Sequence, residues 1–151
     1  MSSLNRTALR ATVHCLTGCS IGEVAGMVLG TLFAWANGIT ILVSIVLAFV
    51  FGYSLTMLPL LSSGMSLASA AKLALISDTA SISVMEAVDN LVMIVVPGAM
   101  ASTISFAMFW VSLFISLLLT GFAAYPLNRW LISRGRGHAV VHARHTAAHD
   151  H

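Results

Sequence analysis

The sequence predicts an all-α integral membrane protein: a bundle of four transmembrane helices with both termini in the cytoplasm. Three observations lead there. The 151-residue chain is 58% hydrophobic and only 8% charged, against roughly 25% charged residues in a soluble domain. Its apolar residues fall into four runs, each long enough to cross a hydrocarbon core that needs about 20 helical residues. Of its seven cationic residues, Arg6, Arg10, Arg129, Arg134, Arg136 and Arg144 lie in the termini, and Lys72 lies between the second and third runs. Cationic loops face the cytoplasm, so four spans with this distribution put both termini there.

The first span is expected from about Ala11 to Trp35, before the Ala36-Asn37-Gly38 turn. The second runs from about Gly38 to Leu61 without a formal charge and is expected to face lipid. Residues 62–72 are small and polar and read as a short loop or an interfacial helix. The third span is expected from Leu73 to Val96, closed by Pro97 and Gly98, and the fourth from Ser105 to Tyr125, with Pro126 and Trp130 at its interface. Residues 1–130 form the membrane domain, and residues 131–151 form a basic, histidine-rich tail. The first apolar run outlasts a signal-peptide core and no cleavage site precedes its polar residues, so it is expected to remain in the mature protein.

Residues 14–30 set the chemistry. Gly18, Gly22, Gly26 and Gly30 recur at every fourth position, which on a helix cuts a groove in which another helix can lie closely, either span three or a second copy of span one. Beside it, at the same spacing, run Cys15, Cys19, Glu23 and Met27, with His14 before the first thiol. Span three carries a second polar face of Asp78, Met85, Glu86, Asp89 and Met93, joined by Thr79, Ser83 and Asn90. Ionised carboxylates inside a bilayer are costly, so such a stripe faces protein or an aqueous cavity and marks a functional site by default.

Counting inward from Arg10 and Lys72 places Cys15 and Cys19 level with Asp78, Glu23 near Met85 and Glu86, and Met27 near Asp89 and Met93. The two helices thus face each other with a ladder of thiol, carboxylate and thioether groups. Thiolates and thioethers select soft ions such as Cu(I), so a transition-metal ion is expected, with copper favoured over zinc. His14, Cys15 and Cys19 would form its primary site, and the remaining groups would be further ligands or a path. In the tail, His138, His142, His145 and His149 repeat at four, three and four residues and read as a secondary metal-collecting segment.

Two other function classes fit these residues. Cys15 and Cys19 could cycle between dithiol and disulfide, assisted by His14 and Glu23, in a membrane thiol-redox protein. The glycine groove could instead seat the chain as a small subunit of a larger membrane complex, with the carboxylates as internal hydrogen-bond partners. Two cysteines on one helical turn supply neither a disulfide framework nor a zinc-finger pattern. The sequence has no phosphate-binding loop or hydrolase motif, and its few basic residues sit where topology needs them. ATP-driven transport by this chain alone and nucleic-acid binding are therefore disfavoured. The bilayer is the expected partner, together with further copies of the chain or a larger complex.

Three motifs carry a resemblance: His14-Cys15-x-x-Gly18-Cys19-x-x-Gly22-Glu23; Asp78-Thr79-Ala80-Ser81-Ile82 with Met85-Glu86 and Asp89-Asn90; and Asn128-Arg129-Trp130-Leu131-Ile132 followed by Arg134-Gly135-x-Gly137-His138. Over nearly its whole length the chain resembles a family of small bacterial inner-membrane proteins known only as a domain of unknown function. That resemblance implies a multi-span protein of the bacterial inner membrane. It brings no activity with it.

Overall fold

The computed structural model describes residues 3–96 and 107–134. Four helices account for nearly all of them: α1 (Ser3–Leu32), α2 (Asn37–Ser62), α3 (Leu67–Val95) and α4 (Ala107–Ser133). Each is long and apolar enough to cross a membrane. The class and the number of spans are those the sequence predicts.

The helix limits differ from the sequence reading most at three places, besides α1 ending at Leu32 and not Trp35. Helix α1 begins at Ser3, so its first two turns include Arg6 and Arg10. Helix α3 begins at Leu67, where Ser66 caps it by accepting a hydrogen bond from the Ser69 amide at 3.3 Å. Residues 67–72, expected as a loop or interfacial helix, are therefore its opening turns. Between α2 and α3, Gly64 takes φ +87°, a conformation that glycine adopts without a β-carbon clash. Helix α4 continues through Pro126 to Ser133, across the expected boundary at residue 130. Proline removes one backbone hydrogen bond there but does not end the helix.

The bundle is arranged so that α1 and α3 meet across its middle while α2 and α4 flank them. Its surface carries the large side chains, among them Leu42, Val46, Val50, Leu91, Phe114 and Phe122, all exposed. Its interior is built largely from small and polar residues. Helix α2 buries Thr40, Ser44, Ala48, Gly52, Thr56 and Leu60, at every fourth position. Helix α4 buries Ser112, Ser116, Thr120, Ala124 and Asn128 at the same spacing. Without a hydrophobic difference between lipid and core, close packing and interhelical hydrogen bonds hold such a bundle together.

The glycine groove is filled by α2, and this corrects the expected partner. A β-carbon on Gly18 would lie 2.7 Å from the Cα of Gly52, and one on Gly22 would overlap the backbone of Ala48. Gly26 faces Ser44, and Gly30 faces Thr40. The small residues of α2 match the glycines rung for rung, so α2 is half packing surface and only half lipid face. A second four-residue period, in a span without charge, is the signal that identifies the true partner.

Polar side chains in the spans satisfy themselves locally or tie helices together. The hydroxyls of Thr17, Ser20, Thr31 and Ser54 donate to the carbonyls four residues earlier, which removes most of the cost of placing them in lipid. Across helices, Tyr53 and Thr79 bond at 2.9 Å, and Asn128 Nδ2 donates to Thr12 Oγ1 at 3.0 Å. At the end of the bundle that holds the chain termini, Arg129 Nε donates to Asn5 Oδ1 at 2.9 Å. Asn128→Ala is expected to lower stability by about 1 kcal/mol, within the range for interhelical hydrogen bonds in membranes. Thermal unfolding in detergent measures it.

Candidate functional site

Because α1 and α3 form the centre of the bundle, their polar faces are turned toward each other. Cys15 with Asp78, and Met27 with Asp89 and Met93, keep the expected levels, whereas Cys19 lies by Glu86 and not Asp78, and Glu23 reaches Asp89 as well as Glu86. Cys15 lies about 18 Å from the start of α1, taking about 1.5 Å per residue. The thiols therefore stand near the middle of the helix.

The pairing has three levels. Cys15, 2% exposed, lies against Asp78 and Ser81. Asp78, 1% exposed, is held from its own helix by Ser77, whose hydroxyl donates to Oδ1 at 2.7 Å. One turn on, Cys19 lies against Glu86. One turn further, Glu23 lies against Asp89 and near Glu86. Asp89 also accepts a hydrogen bond from Ser116, which brings α4 into the site. Glu86 and Asp89 are buried and Glu23 is half-buried.

Sulfur gathers in the middle of this seam. Cys15, Cys19 and Met85 belong to one buried cluster with Ala48, Ile82 and Ala124. Both cysteines are free thiols. Oxygen gathers at the adjoining level, toward the end of the bundle away from the termini. There a cavity of about 20 Å³ is lined by Glu23, Glu86, Asp89, Asn90 and Ser44, together with Met27, Met93 and Ile41. It has room for one water-sized body, since about 10–15 Å³ is the lower limit for holding a water. Among the described residues, the buried Ser44 hydroxyl has no hydrogen-bond partner. It lines this cavity.

His14 goes elsewhere. Its Nε2 lies 3.1 Å from Thr56 Oγ1, so the ring turns to α2 while the cysteines face α3. Among the described residues, no three His, Cys, Asp or Glu side chains form a group that could hold a metal ion. The ladder is spread along the seam and does not converge on one point. His138, His142, His145 and His149 lie outside the described residues. Ser44, Ser81 and Ser116 join the site without having been expected; the small-residue periods of α2 and α4 were the signal for Ser44 and Ser116, and Ser81 lies three residues from Asp78 on the buried face of α3.

The family model for a domain of unknown function, DUF4396, matches residues 4–137. The chain belongs to that family. The match takes in the whole seam of α1 and α3, so the thiol, carboxylate and thioether levels all lie within the DUF4396 domain. No curated protein matches the chain, and neither does any solved structure.

Proposed function

We propose that this DUF4396 protein binds a transition-metal ion, copper in preference to zinc, and passes it along the seam between α1 and α3. The observation that supports this reading is the packing of Cys15, Cys19 and Met85 into one buried cluster beside the oxygen-lined cavity. Two thiols and a thioether are the donors that soft Cu(I) prefers, and Met27 and Met93 extend them into the cavity. Glu23, Glu86 and Asp89 supply charge to offset that of the passing ion in a medium that excludes ions.

A path differs from a storage site in that each step must bind weakly enough to let the ion leave. Ligands spread over successive turns meet that requirement better than a closed cage. In this reading His14 steadies α1 against α2 through Thr56 and is not a primary ligand. The protein sits in the bacterial inner membrane with both termini cytoplasmic, and the tail histidines collect metal for the seam.

Uptake of Cu(I) into vesicles reconstituted with the protein tests the proposal. The parent should carry copper faster than protein-free vesicles. Glu23→Gln/Asp89→Asn, which keeps the shape of the cavity but removes its charge, should slow uptake by at least about tenfold. Equal uptake with and without protein would count against transport.

A further inference from the structure

On the outside of the bundle, α1 and α4 leave a groove of about 340 Å³ between them. Leu9, Val13 and Leu16 form one wall, and Leu118, Phe122 and Tyr125 form the other. Gly121 deepens it, because a β-carbon there would reach to 3.2 Å from Leu16 Cδ1. Thr12 is the one hydroxyl of α1 on the lining, and it is already engaged, donating to the Ala8 carbonyl and accepting from Asn128. The groove is therefore an apolar slot open to the hydrocarbon.

One end of this slot is charged. Arg129 is one helical turn beyond Tyr125, on the face of α4 that lines the groove. Arg6 precedes Leu9 by three residues and Val13 by seven, which places it on the lining face of α1. Both arginines are exposed. Arg129 spends its Nε on Asn5, and its terminal nitrogens remain to donate elsewhere. The described carboxylates, Glu23, Asp78, Glu86 and Asp89, all lie deeper in the bundle. An apolar slot, about 10 Å long at about 1.5 Å per residue from Leu9 to Leu16, with two cations at its mouth is complementary to a molecule with an acyl chain and an anionic headgroup.

We propose that the α1–α4 groove is a binding site for an anionic phospholipid, its acyl chain in the slot and its phosphate held by Arg6 and Arg129. Basic pockets between transmembrane helices recognise headgroups in this way. The bound lipid completes the lipid-facing surface where α1 and α4 part, and it links their ends next to the Arg129–Asn5 contact.

The test is native mass spectrometry of the full-length protein released from detergent containing equal amounts of phosphatidylglycerol and phosphatidylcholine. The parent should retain phosphatidylglycerol in preference. Arg6→Gln alone, at an exposed position, should reduce that preference about fivefold, and Arg6→Gln/Arg129→Gln should reduce it by about fivefold again. Gln at 129 keeps an N–H for Asn5. Gly121→Leu should reduce retention of both lipids by filling the slot, and Lys72→Gln, outside the groove, should change nothing. Equal retention of the two lipids by the parent would overturn the proposal. So would a preference that survives in the double variant, or a second copy of the chain lost on Gly121→Leu in place of a lipid.

Discussion

Gly22→Ala is expected to destabilise the bundle by about 3 kcal/mol or more, at the upper end of what a single added methyl does in a packed interior. The new β-carbon would overlap the backbone nitrogen and Cα of Ala48 and lie 2.6 Å from the carbonyl carbon of Leu47. Backbone atoms cannot rotate aside, so the two helices must separate locally, and the loss spreads along the line from Gly18 to Gly30. Gly38→Ala is the matched control, because a β-carbon there meets nothing within 4 Å. Thermal unfolding in detergent should show a large fall in Tm for Gly22→Ala and little change for Gly38→Ala. Equal effects at the two positions would mean that α1 and α2 do not touch as described.

Cys15→Ser/Cys19→Ser is expected to weaken copper binding by at least about a hundredfold, the upper figure for removing even an outer-shell partner of a metal site. Serine keeps the size and burial of each side chain, so packing against Ala48, Ile82 and Ala124 is retained. It replaces two soft donors by hydroxyls, which hold Cu(I) poorly. Competition against a copper chelator, followed on the purified protein under reducing conditions, measures the change. His14→Gln gives the useful contrast: with its ring bonded to Thr56, its loss should alter affinity far less than loss of the thiols.

Much of the fold was legible because a membrane leaves few choices: every backbone group must be satisfied inside the segment, so long apolar runs are helices. The levels of Cys15 with Asp78 and of Glu23 with Glu86 were also within reach, because buried polar groups must find one another and helical rise fixes their depth, but the added contact of Glu23 with Asp89 was not. What the sequence hid was the partner of the glycines. Thr40, Ser44, Ala48, Gly52 and Thr56 sit in a span so apolar that its large residues dominate any reading, yet their four-residue period decides where α2 lies. The direction of His14 was hidden for a related reason. Its sequence neighbour is Cys15, but adjacent residues on a helix point about 100° apart, and Thr56 on α2 takes the ring.

The most direct measurement is the metal content of the purified full-length protein after loading with Cu(I) under reducing conditions, with His138, His142, His145, His149 and His151 replaced by Gln. Removing the tail histidines leaves the membrane seam as the source of any tight binding. Copper at one ion or more per chain, absent from the Cys15→Ser/Cys19→Ser form, is the predicted result. A chain that stays free of copper in both forms would contradict the account.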